Sequence, residues 1–184
     1  MAFRINDIVA NLKFGGARPT LFQVELTSPF DSDLNQIAPF MVQSTQIPSS
    51  TISAIEVPYF GRKIKVAGDR TFEPWTINIL NDEDFKIRHY MERWHDQMNS
   101  LSGNLNQTGS SAPSEYKAQA LVKQYGKANA DRPIREYTFY GIFPTDISTI
   151  DLDWGATDQI ETFSVTFAYD WHEITGGDTG TIPG

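Results

Sequence analysis

The apolar positions of this 184-residue chain recur mostly at every second residue, the period of strands with one wet face. Phe22, Val24 and Leu26 alternate with Gln23 and Glu25, so 21–26 reads as a half-buried strand that Pro29 ends. A weaker strand over 40–46 follows, Pro48-Ser49-Ser50-Thr51 breaks it, and a third spans 52–57. Pro58 and Gly61 bracket Tyr59 and Phe60 in a turn setting. Lys63, Ile64, Lys65 and Val66 then alternate. Ala67-Gly68-Asp69-Arg70 supplies a tight turn, and Trp75, Ile77 and Ile79 resume the alternation on the returning strand. The clearest late strands are 134–143 and 159–171. In the second, Phe163, Val165, Phe167, Tyr169 and Trp171 share one face, while Thr162, Ser164 and Thr166 share the other. One wall of that strand is core, and the opposite wall meets water or a polar partner.

Two segments follow a helical period instead. Ile5, Ile8, Val9 and Leu12 predict a short N-terminal helix ending at Gly15-Gly16. A longer helix spans 82–101, where Ile87, Met91, Trp94, Met98 and Leu101 form one apolar stripe that must pack on a sheet. Asp82, Glu83 and Asp84 sit at its start, where the helix dipole favours negative charge. Residues 99–114 are nearly all small or polar and read as a long surface loop. The segment 116–125 fits two readings: Lys117, Gln119 and Lys123 alternate like a strand, whereas Ala118, Gln119, Ala120 and Leu121 are good helix formers. Residues 174–184 read as a flexible tail. No repeat or linker divides the chain, so 1–184 is expected to be a single domain. The expected class is mainly β, an antiparallel β-sandwich or open barrel with one main flanking α-helix.

Composition narrows the chemistry. Cysteine is absent, which excludes disulfides and thiolate metal sites. No segment approaches the roughly 18 apolar residues of a membrane helix, so neither membrane insertion nor secretion by the usual route is expected. A net charge of -8 argues against gripping nucleic acid by its phosphates, which takes clustered Lys and Arg. His89 and His95 lie six apart, His172 is remote from both, and no zinc spacing results. Asp151-Leu152-Asp153-Trp154-Gly155 lacks the third acidic position and the distal glutamate of a calcium loop, and a turn explains it more simply. Glu136 and Glu161 could do acid and base work only if they met, which the sequence does not show. With no nucleophile, phosphate-binding or dinucleotide motif, the chain is not expected to be an enzyme, and no cofactor is expected.

Several short blocks carry a resemblance in one order. They are Ala17-Arg18-Pro19, Leu21-Phe22-Gln23-Val24-Glu25, Arg62-Lys63-Ile64, and Val66 to Phe72. Then come Trp75-Thr76, Asn81-Asp82-Glu83, Glu115-Tyr116-Lys117, Leu152-Asp153-Trp154, Ile160, Thr162-Phe163 and Val165-Thr166. Through these the chain resembles the tail tube proteins of contractile-tailed, T4-like bacteriophages. It departs in the insertion-like segment Ser28 to Asn35, the polar run after the helix and the glycine-rich tail, which bear on loop lengths.

The resemblance implies a strand for 116–125 and a structural virion protein. Six-membered rings would stack into a tube, with the sheets completing a continuous inner β-barrel. Such a tube encloses a tape measure protein, later conducts DNA, and contacts the sheath, the baseplate and a tail terminator. Its place is the phage tail, with assembly in the host cytoplasm. An acidic or neutral lining suits that role, because basic contacts summed along the bore would stall DNA. Candidates for the ring-to-ring contact are Ile47, Ile52, Ile55, Val57, Tyr59 and Phe60 with Arg62, Lys63 and Lys65, facing acidic residues of a neighbour. Thr162, Ser164 and Thr166 are the candidates for the lumen. Two alternatives stand: the inner tube of a protein-delivering contractile injection system, and, from another class, a monomeric carbohydrate-binding or hydrolytic β-sandwich.

Overall fold

A computed structural model describes residues 5–12, 16–107, 112–127 and 131–177, with the side chains of 5–7 excepted. Along the chain, helix α1 (Ile5–Asn11) precedes strand β1 (Phe22–Leu26), helix α2 (Leu34–Met41) and strand β2 (Val42–Thr45). Strands β3 (Thr51–Tyr59), β4 (Arg62–Thr71) and β5 (Trp75–Leu80) lead to helix α3 (Lys86–Met98). The short α4 (Pro113–Tyr116) opens onto β6 (Ala118–Tyr125), β7 (Pro133–Ile147), β8 (Thr162–Ala168) and β9 (Trp171–Gly176).

β7 organises the fold because it serves two half-sheets. Its first part pairs with β6 and β9, and its last part with β8, so the order β1-β6-β7-β8-β5-β2 is one seven-stranded antiparallel sheet with β9 joined at β7. The change of partner falls beside Gly141, at φ +67°. A Cβ there would collide with the Asp170 carboxylate, so the bend needs glycine twice over. The halves bury their apolar faces together. Trp75 of β5 stacks on Phe139 of β7 at 4.5 Å and lies 5.6 Å from Phe167 of β8. The architecture is therefore the expected mainly antiparallel β-fold with one main flanking helix, and the sheet does not close into a barrel within the chain.

Helix α3 covers this core with Ile87, Met91 and Trp94, all buried, and Trp94 Nε1–H donates to Tyr116 O at 2.8 Å. It is shorter than expected at both ends. Phe85 sits at φ 51°, a left-handed residue closing the turn Asp82–Phe85, and Leu101 falls past the extended Asn99, 96% exposed. The acidic trio thus precedes the helix, where Asp84 pairs with Lys86 at 2.9 Å.

Four expectations are corrected. The segment 34–41 forms α2, not loop followed by strand. Leu34, Ile37, Ala38 and Met41 have helical spacing, and Pro39 inside the helix masked the signal. The hairpin turn lies at Phe60–Gly61, where both residues have positive φ (42° and 80°), as a two-residue hairpin loop demands. Residues 67–70 belong to β4: Gly68 marks a β-bulge opposite Ile52–Ala54, where a Cβ would meet Ser53. Accordingly β5 returns to β2 and β8, not to β4. Finally, the strand expected over 159–171 is β8 plus the start of β9. The ladder to β7 is interrupted at Tyr169–Asp170, opposite Gly141, and resumes in the same direction: Trp171 stacks on Tyr140 at 5.2 Å, and Ile174 to Gly176 pair with β7 instead of starting a tail. The residues expected at the end of the α1 segment (Gly15) and in the rest of the tail (178–184) lie outside the described residues.

Candidate assembly surfaces

The hairpin β3–β4 stands away from the body. Its strands pair only with each other, and every β3 residue is exposed. Register separates its faces: Ile55 lies opposite Val66, Val57 opposite Ile64 and Tyr59 opposite Arg62, while Glu56 lies opposite Lys65 and Pro58 opposite Lys63. One face is therefore an apolar stripe of Ile55, Val57, Tyr59, Ile64 and Val66, between 46% and 62% exposed. The other is charged, with Lys63 and Glu56 paired at 2.6 Å. Covering the stripe would contribute on the order of 1 kcal/mol per side chain. At the tip, Phe60 is 91% exposed in a left-handed conformation that costs a bulky residue strain. Asparagine or glycine would serve the turn better. The Phe60 ring meets Tyr59 edge-on, with centroids 4.7 Å apart.

The candidates Ile55, Val57, Tyr59 and Arg62 thus share one face, Lys63 and Lys65 share the reverse, and Phe60 caps the tip. Ile52 lies beyond the bulge opposite Arg70, and Ile47 is exposed in the segment leading to β3. Ile64 and Val66 complete the stripe and were missed as candidates, because alternating apolar residues look the same whether they face a core or water.

The second surface is the outer wall of the half-sheet β2-β5-β8-β7. Thr162, Ser164 and Thr166 lie on it, opposite Leu80, Asn78 and Thr76 of β5. Their neighbours satisfy one another. Thr76 and Thr166 hydroxyls meet at 3.1 Å, Asn78 Nδ2–H donates to Ser44 Oγ at 2.8 Å, and Ser164 N–H donates to Ser148 Oγ at 2.9 Å. Thr145 Oγ1–H donates to Thr166 O at 3.0 Å. The wall carries hydroxyls and amides, several of them bonded to one another, with the Asp146 carboxylate opposite Thr166, and no Lys or Arg stands in these rows. Such a surface has little to offer a phosphate.

Two margins of that half-sheet are unpaired among the described ladders: β2 bonds only β5, and the 143–147 part of β7 bonds only β8. Open edges of this kind template further strands. No cluster of three metal-ligating side chains occurs among the described residues, and no described helix is long and apolar enough to cross a membrane. Glu161 accepts from Asn81 Nδ2–H at 2.9 Å, while Glu136 lies opposite Lys123 in the other half-sheet, so the sequence's carboxylate pair is engaged elsewhere. Asp153 Oδ1 accepts from Gly155 N–H at 2.9 Å, which makes its segment a turn.

His172 of β9 sits against Phe72, just beyond the end of β4, with ring centroids 5.2 Å apart, and its buried Nδ1 has no hydrogen-bond partner among the described residues. Burial first, and the Arg70 charge second, push its pKa below the ordinary imidazole value. Burial lowers His95 in the same direction. A depressed folded pKa means that the unfolded chain takes the proton first, so stability is full above the ordinary value of about 6.5 and is lost as pH falls below it. The His172→Phe variant should show a flatter melting temperature between about pH 7 and pH 5 than the wild type. An unchanged slope would show that His172 does not carry this sensitivity.

Comparison with known proteins gives this arrangement its relatives. The family model for phage tail tube protein matches residues 9–175. The tail tube protein gp19 of Enterobacteria phage T4 is 36% identical over 170 residues, covering 92% of this chain and 99% of that protein. A chain in the cryo-EM structure of the anti-feeding prophage baseplate superposes with a TM-score of 0.63 at 14% identity, covering 88% of this chain and 97% of the other. One in the sheath–tube complex of an extracellular contractile injection system gives 0.56 at 13% identity, covering 95% and 99%. The first two matches extend over nearly the whole chain, the T4 protein at an identity that shows kinship, and the last two share its fold; this chain belongs to the phage tail tube protein family.

Proposed function

We infer that this chain is the repeating subunit of the inner tube of a contractile phage tail, a structural part of the virion and not an enzyme. The observation that carries the reading is an unfinished half-sheet whose outer wall bears hydroxyls, amides and a carboxylate but no Lys or Arg, in a chain of this family. Lateral joining would pair β2 of one subunit with the 143–147 edge of the next, closing both margins around a six-membered ring. The wall bearing Thr162, Ser164 and Thr166 then faces the bore. Rings stack head to tail through the hairpin, a contact that does not close on itself and so yields a filament.

The outside of the tube meets the sheath, and its ends meet the baseplate and a terminator. The bore holds a tape measure protein during assembly in the host cytoplasm and passes DNA at ejection. A basic wall would hold that cargo at every ring, whereas a wall of hydroxyls, amides and a carboxylate releases it. The protein-delivering alternative is not adopted, since identity to the phage tube far exceeds identity to the injection-system chains. The monomeric sugar-binding or hydrolytic sandwich is set aside on the same kinship.

Electron microscopy of the concentrated protein, seeded by its baseplate where needed, should show long hollow tubes. Single compact particles under all such conditions would sink the reading. In phage carrying Thr162→Lys, Ser164→Lys and Thr166→Lys together, tubes should still form and DNA delivery should drop at least tenfold. Wild-type delivery through such tubes would remove these positions from the bore.

A further inference from the structure

The half-sheet that carries the hairpin at one end carries a second exposed apolar feature at the other. β2 and β5 meet the hairpin at Thr45 and Trp75, whereas the loop from Ser148 to Glu161 joins β7 to β8 beside Leu80 and Thr162. In this loop Leu152 is 82% exposed, Trp154 103% and Ile160 70%. They border a cleft of about 430 Å³ whose other walls include Thr149, Ala156 and Thr162. A tryptophan without cover, beside two aliphatic residues in the same state, marks a surface built for a partner.

Charge says which partner. Residues 148–161 contain Asp151, Asp153, Asp158 and Glu161 and no Lys or Arg. None of the four forms an ion pair among the described residues, although Asp153 and Glu161 accept the hydrogen bonds given above. The hairpin presents the complement: an apolar stripe with Arg62 on the same face, not ion-paired among the described residues. We propose that the Ser148–Glu161 loop is the socket for the hairpin of a second copy of this chain, with Trp154, Leu152 and Ile160 covering the apolar stripe and the loop carboxylates receiving Arg62. This rests on the tube reading and names the face that receives each ring's projection. Because plug and socket sit at opposite ends of one half-sheet, the contact repeats along an axis without closing.

The absence of cysteine makes the test specific. Val57→Cys with Trp154→Cys, assembled into tubes and oxidised, should give a ladder of covalent multiples. Either single variant should stay monomeric on the gel, since a disulfide forms only when Cα atoms approach within about 7 Å. A second pair, Ile64→Cys with Leu152→Cys, guards against one poor geometry. Tubes that yield no ladder from either pair overturn the socket while leaving the tube reading intact. Should the cysteine variants not assemble, charge reversal decides. Asp151→Lys should cut tube yield at least tenfold, and adding Arg62→Glu to the same chain should restore it. Wild-type yield from the first variant, or no recovery in the second, overturns the proposal. Failure of the wild type itself to form tubes counts against the tube reading instead.

Discussion

Converting Ile55, Val57, Ile64 and Val66 to threonine should abolish tube formation while leaving the subunit folded. All four are about half exposed on a hairpin that pairs only with itself, so they contribute little to the core. Threonine keeps the β-propensity of the strands, and surface changes of this type usually stay within about 0.5 kcal/mol each. The melting temperature should therefore move by only a few degrees, on the order of 2–4 °C per kcal/mol for a chain of this length. Assembly is another matter. If each side chain contributes about 1 kcal/mol when covered, losing four weakens every contact by roughly a thousandfold, at about 1.4 kcal/mol per tenfold. Sedimentation and electron microscopy should find subunits or isolated rings in place of long tubes. Normal tubes at wild-type concentration would remove the apolar stripe from the stacking contact.

The other large effect lies inside. Trp75→Ala should cost about 3–5 kcal/mol, the usual range for truncating a buried tryptophan. The indole stacks on Phe139, contacts Phe167, and donates through Nε1–H to Thr45 Oγ1 at 2.9 Å and Gln46 O at 3.0 Å. One side chain thus joins both half-sheets to the root of the hairpin. The expected fall in melting temperature is about 6–20 °C. Trp75→Phe keeps the ring and loses the donor, so it should cost nearer 1 kcal/mol. If phenylalanine proves as damaging as alanine, the hydrogen bonds to Thr45 and Gln46 outweigh the stacking.

Much of this fold was legible because one face of each strand must be dry. Phe163, Val165 and Phe167 are buried as their alternation required, and the polar wall opposite them followed from the same rule. Helix α3 was legible from Ile87, Met91 and Trp94. What failed has a common cause: glycine and proline were read as punctuation where they serve packing. Gly68 allows a bulge to approach Ser53, and Pro39 sits inside a helix held by Leu34 and Ala38. The turn setting of Tyr59 and Phe60 between Pro58 and Gly61 was legible, but the hairpin was assigned to Ala67–Arg70 because Gly68 and Asp69 look like better turn residues than Phe60. β9 was obscured for another reason, since the alternation from Phe163 continues through Trp171 although the ladder to β7 is interrupted at Tyr169–Asp170. The candidate surfaces were partly legible: Ile55, Val57 and Tyr59 were singled out, but Ile64 and Val66 joined them only when the register was known. The face of Thr162, Ser164 and Thr166 was readable from period two, while its hydrogen bonds depend on Ser44, Asn78 and Ser148 arriving from distant segments.

The hairpin's isolation has a mechanical side. A two-stranded ribbon tied to its subunit only at the ends of β3 and β4 can swivel at those roots, while the body behind it, bound through Trp75 and Phe139, stays stiff. A column joined floor to floor by such ribbons would bend like a spine of rigid vertebrae on pliant ligaments, taking up curvature between floors without ovalising any of them.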